Sequence, residues 1–184
     1  MTRIHTPATV DAAPASTHAS LNAVGKQLGV VPNLFRVVAS SPAALTGYLQ
    51  LSAASAQGGL DAATRERIAL VVAELNGCVY CLSAHTYLGR HLAKLDDTEI
   101  TANRNGASND PKADAAVRFA AAVVRQRGHL SNEQVQAVRS AGYSDAQMLD
   151  ILLAVALNTF TNYVNEVAQT EIDFPVATPL QLAA

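Results

Sequence analysis

Tryptophan is absent from this 184-residue chain, aromatic residues make up 5% of it, and charged residues only 15%. With so few rings, a core has to be built from Ala, Leu and Val, which points to helices packed closely through small side chains. No block of like charge appears and the formal net charge is −2, so the electrostatic footprint of a nucleic-acid or anionic-membrane partner is missing. The longest unbroken apolar run, Ile151 to Leu157, has seven residues, against roughly 20 for a membrane-spanning helix. The polar, proline-bearing N-terminus lacks the apolar stretch of a signal peptide, and the expected location is the cytoplasm. Two cysteines, only two residues apart, cannot form a structural disulfide framework.

About half of the residues are apolar (49%), and a chain of this length can bury roughly 70% of its unfolded surface in one domain. So many apolar side chains with so few charges imply that some helix faces are hidden against copies of the same chain. Residues 1–16 have two prolines and no apolar period, the composition of a flexible arm. From there the helix signals are frequent. Residues 18–28 end at Gly29, and Pro32 opens a short stretch over 33–39. Ser41-Pro42 starts a helix that stops at Gly58-Gly59, and Asp61 caps the next, whose Ile68, Val71, Val72 and Leu75 recur at helical spacing. Asn76-Gly77 breaks it. Further starts lie near Cys78, at Asp96-x-x-Glu99, at Asp110-Pro111, at Ser131-x-x-Gln134 and at Ser144-x-x-Gln147. The expectation is an all-α, bundle-like domain over 17–175 with about seven or eight helices, followed by a tail over 176–184.

The chemistry concentrates between Glu66 and His85. Cys78 and Cys81 form a C-x-x-C pair, His85 follows four residues after the second, and Glu66 lies twelve residues before the first. On a helix, Cys78, Cys81 and His85 share one face, and a helix beginning near Cys78 places both sulfurs by its positive end, where a thiolate is favoured. Glu66, on the preceding helix, can orient the imidazole and draw off a proton. A lone C-x-x-C in a reducing compartment is also compatible with half a zinc site or with coincidence. Zinc needs two more ligands, and His5, His18, His91 and His129 have no paired spacing. No metal and no cofactor are therefore expected.

Other residues have plainer readings beside their functional ones. Glu74 reads as a solvated helix residue or a second acid. Tyr80 packs on the helix face or donates a hydrogen bond near the thiolate. Arg65 and Arg67 form surface or subunit-contact ion pairs or restrain Glu66. Asn158, Asn162 and Asn165 make a polar stripe on an otherwise apolar helix, lining a cavity or facing solvent. Phe160 and Tyr163 would be core or pocket walls, and Glu166 a solvated residue. Gly58-Gly59 has no lysine to make it a phosphate cradle.

Glu66, then Asn76-Gly77-Cys78-x-Tyr80-Cys81-x-x-x-His85, resembles the pattern of the AhpD-like alkylhydroperoxidases within the carboxymuconolactone decarboxylase superfamily. Arg65-Glu66-Arg67, the Pro32-Asn33-Leu34-Phe35-Arg36 stretch and Ser41-Pro42 are similar to the peroxidase-related subgroup, and the resemblance covers most of residues 30–175. It implies an AhpD-like multi-helix bundle that assembles as a homo-oligomer, such as a trimer, a hexamer or a dimer-based form. It also implies thiol-dependent reduction of a small organic hydroperoxide, with Cys81 as the peroxidatic cysteine, Cys78 as the resolving one, and His85 and Glu66 as a proton relay. Tyr80 and Asn158 would support the site, and a lipoyl-bearing or thioredoxin-like dithiol would restore the pair. The archetype has histidine where this chain has Tyr80. Decarboxylases of the superfamily lack the two cysteines. The rival activities are protein thiol–disulfide exchange, redox sensing without turnover, and last a decarboxylase-type reaction.

Overall fold

A computed structural model of the protein describes residues 2–180. Among them lie nine α-helices and no strand: α1 (His18–Leu28), α2 (Asn33–Val38), α3 (Pro42–Gln57), α4 (Ala62–Leu75), α5 (Val79–His91), α6 (Asp97–Arg104), α7 (Pro111–Gln126), α8 (Asn132–Ser140) and α9 (Asp145–Ala168), with one 3-10 turn at Ala15–Thr17. The all-α bundle is as expected, with more helices than the seven or eight anticipated. Both short stretches that the sequence marks ahead of Ser41, residues 18–28 and 33–39, form helices of their own. No helix of the described residues is long and apolar enough to cross a membrane.

Most starts use the caps written in the sequence. Ser131 and Ser144 each close a full capping box with the glutamine three residues on. Asp96 closes only half of one. Its side chain accepts the Glu99 N–H at 2.7 Å, but the Glu99 carboxylate turns inward to Arg67, Asn103, Ser108 and the Asn109 N–H. Burial disfavours that carboxylate, yet the bonds from Ser108, Asn103, Asn109 and Arg67 hold its pKa down at about 2.

Helix α4 is the axis of the molecule. Every residue from Ile68 to Glu74 is buried, so this helix meets protein all round, as a central helix must. Ile68, Val71 and Val72 pack into one core with Val117, Phe119 and Ala120 of α7, Val138 of α8 and Ile151 and Val155 of α9. Leu70 and Ala73 belong to a second core with Leu21, Leu34, Leu45, Leu82 and Ile100, and this core contains both cysteines. At the Gly58-Gly59 turn, the Gly59 N–H donates to Asp150 of α9 at 2.7 Å, and a Cβ on Gly58 would stand 2.7 Å from the same carboxylate. A side chain at Gly58 would push the Asp150 carboxylate out of that position.

Both chain ends lie on this frame. The N-terminal segment has no helix before Ala15 but is tied down: Arg3 N–H donates to Ala168 O, Ser40 to His5 O and Arg36 to Pro7 O. The segment after α9 runs back over α2, α5 and the end of α4. Asn33 N–H donates to Asp173, Ala177 N–H to Ser83, and Leu180 N–H to Glu74. Residues 181–184 of the expected tail, like Met1, lie outside the described residues.

Candidate functional site

The turn between α4 and α5 sets the two sulfurs. Gly77 takes a φ of 68°, and the N–H groups of Gly77 and Cys78 return to the carbonyls of Glu74 (3.1 Å) and Ala73 (3.0 Å), a paired closure that needs a left-handed residue. Cys78 thereby becomes the N-cap of α5, not a member of its first turn, and its Sγ accepts the Cys81 N–H at 3.4 Å. Cys81 is the third helical residue. Both thiols are free, and their residues are 0% and 2% exposed.

Glu66 comes from α4 and His85 from α5 one turn after Cys81, and the helix reversal brings them together: His85 Nδ1 lies 2.9 Å from Glu66 Oε2. Each side chain keeps about a fifth of its surface exposed (20% and 23%). Burial works against a charged imidazole, but the Glu66 charge and hydrogen bond, the Cys81 charge and Asn158 overturn it and raise the His85 pKa above its ordinary value. Cys81 moves the other way. The Cys78 S–H donates to it, which outweighs burial, and the His85 charge and the α9 amides add to the effect, bringing its pKa down to about 6. Cys78 is raised correspondingly, by its bond to Cys81 and by burial. Near neutrality the charge of this pair sits on Cys81, the thiolate form that reacts.

Several neighbours prove to have other duties. Glu74, read as a solvated helix residue or a second acid, is instead buried and pairs with Arg104 Nε at 2.7 Å, its side chain 1% exposed. Arg67 is taken by Glu99 and Arg65 by the Leu60 carbonyl, so neither restrains Glu66. Tyr80 points to the far side of α5, where its hydroxyl donates to Asp173 at 2.8 Å and accepts the Leu34 N–H at 3.1 Å. It ties the tail and α2 to α5 and gives no hydrogen bond to a sulfur. Two residues separate faces by about 200° on a helix, which is why Tyr80 cannot share the cysteine row.

The α9 amide stripe faces inward. Asn158, Thr161, Asn162 and Asn165 are all buried. Asn165 Nδ2 donates to Cys81 Sγ at 3.2 Å, and Asn76 Nδ2 donates to Asn162 Oδ1 at 2.8 Å. Thr161 Oγ1 lies 3.9 Å from Cys81 Sγ and gives its own proton to the Asn158 carbonyl. The spacing of the asparagines was readable; that Asn165 touches the sulfur was not, since it lies 84 residues away in sequence. Tyr48 of α3 carried no signal at all. It packs against the cysteine-bearing core and between Phe35 and Phe160, and its phenol is pushed up by burial, then by the charges of Cys81 and Glu66. Phe160 and Tyr163, expected as core or pocket walls, are exposed on the outer face of α9; Glu166 is half-buried.

Two cavities lie away from the cysteines. One of about 120 Å³ is lined by Asp61, Thr64, Arg67, Lys112 and Tyr143, and a second borders α8; neither touches a cysteine. Among the described residues no group of three or more His, Cys, Asp or Glu could hold a metal ion. What is assembled is a buried dithiol with one lowered sulfur, a carboxylate–imidazole pair beside it and amide donors above it.

The model of the carboxymuconolactone decarboxylase family matches residues 41–126, from the start of α3 to the end of α7. No curated protein matches the chain. Among solved structures, a peroxidase-related protein from Silicibacter sp. TM1040 is 25% identical with a TM-score of 0.78, the alignment covering 93% of this chain and 94% of that one. A peroxidase-related protein from Ralstonia eutropha JMP134, described as an alkylhydroperoxidase AhpD core, is 24% identical with a TM-score of 0.81, covering 92% and 91%. The fold is shared as well by the debrominase Bmp8, solved as a cysteine-to-alanine variant with 2,3,4-tribromopyrrole: 19% identity, TM-score 0.78, 94% of each chain.

Proposed function

Starting from the premise that the chain belongs to the AhpD-like/carboxymuconolactone decarboxylase superfamily, in its peroxidase-related branch, we propose that it is a thiol-dependent peroxidase reducing small organic hydroperoxides through Cys81 and Cys78. The observation that carries this reading is the 2.9 Å Glu66–His85 pair one helical turn beyond a cysteine whose sulfur accepts the Asn165 amide. Membership of the superfamily supports a catalytic, redox-related function in general; this geometry favours sulfur as the attacking atom.

In the mechanism we infer, the Cys81 thiolate attacks the peroxide, an S–O bond forms and the O–O bond breaks. His85, whose proton the Glu66 carboxylate helps to hold, gives that proton to the departing alkoxide, which leaves as an alcohol. The Cys78 thiol then condenses with the Cys81 sulfenic acid, releasing water and closing a disulfide. A lipoyl-bearing or thioredoxin-like dithiol returns both sulfurs by exchange. The burial of both sulfurs favours a small oxidant over a folded protein disulfide, which would need an exposed pair and a peptide-sized groove. We place a homo-oligomer contact on the outer face of α9, where Leu149, Leu152, Phe160, Tyr163 and Val167 stand exposed along one side.

The test is hydroperoxide consumption with several dithiol donors, with a brominated pyrrole as the control substrate that the debrominase neighbour suggests. Turnover is expected with hydroperoxide, lost in Cys81→Ser, and stopped after one equivalent in Cys78→Ser with a trappable sulfenic acid at position 81. Full peroxide turnover by Cys81→Ser would refute the assignment, and turnover of the bromopyrrole alone would move the protein to dehalogenation.

A further inference from the structure

Two buried amides beside Cys81 each keep one end unused. Asn162 is 0% exposed; its Oδ1 is engaged by Asn76, and its Nδ2, on the Cys81 side, helps to lower that thiol but closes no hydrogen bond. Asn165 is 2% exposed; its Nδ2 serves the Cys81 sulfur, and its Oδ1 has no partner. A buried polar atom without a partner is costly, and here the two are of opposite kind, a donor and an acceptor, three residues apart on the inner face of α9. Asn76 takes the oxygen end of Asn162, as the Cys81 sulfur takes the nitrogen end of Asn165. A donor and an acceptor one helical turn apart suit a group that is both, and in an oxidant that group is an O–H, whose oxygen takes the donor and whose hydrogen goes to the acceptor.

We propose that Asn162 and Asn165 recognise the terminal O–O–H of the hydroperoxide, Asn162 Nδ2 donating to the oxygen that passes to sulfur and Asn165 Oδ1 accepting that oxygen's hydrogen. This rests on the reading of Cys81 as the attacking thiolate. Asn165, touching both the sulfur and the incoming hydroxyl, sets them in line, and orientation of this kind is worth rate without any change in the thiolate itself. As the S–O bond forms, sulfur gives two electrons to the peroxide and the O–O bond breaks. The alkoxide takes the His85 proton, and the transferred hydroxyl, still between the amides, is the –OH of the sulfenic acid. The site therefore selects oxidants that carry a terminal O–H, whatever their organic group.

The experiment compares two reactions of Cys81 in the Cys78→Ser protein at one pH: single-turnover oxidation by cumene hydroperoxide and alkylation by methyl iodide, which has no hydrogen-bonding group. Any change in thiolate fraction or in burial moves both rates, so their ratio isolates recognition. Asn162→Leu removes the donor; Asn162→Asp also removes it but keeps an acceptor for Asn76, so that a variant with the Asn76 bond is available if the first does not fold. The peroxide-to-methyl-iodide ratio is expected to fall by about fivefold to tenfold, the scale of one lost hydrogen bond. A ratio within about twofold of the parent in the folded variants, below what one lost hydrogen bond gives, overturns the proposal while leaving the peroxidase reading intact. Absence of any sulfenic acid at position 81 in the parent Cys78→Ser protein overturns both.

Discussion

Replacing Asn165 by leucine removes one amide donor from the Cys81 sulfur and little else. The side chain is nearly isosteric, its Nδ2 makes the 3.2 Å bond to Sγ, and its Oδ1 has no protein partner to strand. A hydrogen bond to a charged acceptor contributes about 1.5–3 kcal/mol, and 1.36 kcal/mol corresponds to tenfold in a protonation equilibrium. From about 6 in the parent, the Cys81 midpoint should thus climb to between about 7 and 8 in the variant. At pH 7 the thiolate fraction then drops from about nine-tenths to somewhere between about a half and a tenth. The assay is the pH dependence of iodoacetamide alkylation at Cys81, read by mass spectrometry in the Cys78→Ser background for both proteins. The fold should not suffer, because a leucine in the buried α9 face loses an orphaned carbonyl and gains apolar contact. A midpoint that stays where the parent's is, in a variant that melts normally, would show that α9 does not set the charge on this sulfur.

Three further outcomes follow from the same contacts. Glu66→Gln removes the charge that, against burial, raises His85; the imidazole then loses its proton at lower pH, the alkaline limb of the kcat/KM profile for peroxide moves down, and the Cys81 midpoint rises as its cationic neighbour weakens, whereas an unshifted profile would remove Glu66 from the relay. Arg104→Ala leaves the Glu74 carboxylate buried without its cation, a loss of about 3–5 kcal/mol and so roughly 6–20 °C in Tm, most of it restored in the double variant Glu74→Leu with Arg104→Met; a melt within about 2 °C of the parent, under one kcal/mol for a chain this size, would contradict this. Glu99, held down at about 2 despite burial by Ser108, Asn103, Asn109 and Arg67, stabilises the fold above its ordinary value of 4.5 and loses that contribution as pH falls toward about 2; Glu99→Gln should flatten the decline of Tm across that interval, and parallel curves would disprove the assignment.

What could be read from the sequence was local. Caps at Ser41, Asp61, Asp110, Ser131 and Ser144 are interactions within four residues, so the helix starts were legible, as was the reversal at Asn76-Gly77 that brings Glu66 back to His85. What was not legible depended on distant partners. Glu74 looks like any helix-surface carboxylate until Arg104 and Leu180 arrive from 30 and 106 residues away. Tyr80 could be placed off the cysteine face by counting, but its partner Asp173 lies 93 residues on. Helix α9 is apolar round most of its circumference, so periodicity did not say which side is inward; the asparagines turned out to face the core and Phe160 and Tyr163 the outside.

The two thiols stand at the same helix end, so the helix dipole does not choose between them; their partners do. Cys78 receives one backbone N–H, that of Cys81, while Cys81 gathers the Cys78 S–H, the His85 charge and the Asn165 amide. The largest of these is the S–H donor, which makes Cys78 a part of the charge arrangement before it is ever a resolving nucleophile. The two ways of removing Cys78 must therefore differ. Cys78→Ser keeps a donor and should hold the Cys81 midpoint near the parent's, whereas Cys78→Ala removes it and should raise the midpoint by a factor of about ten in the protonation constant, the scale of one hydrogen bond to a charged group. The alkylation profile of each single variant measures this directly. Coincident profiles for the serine and alanine proteins would mean that the asymmetry of the pair is held by α9 and His85 alone, and that the donor role of Cys78 has no effect on its neighbour.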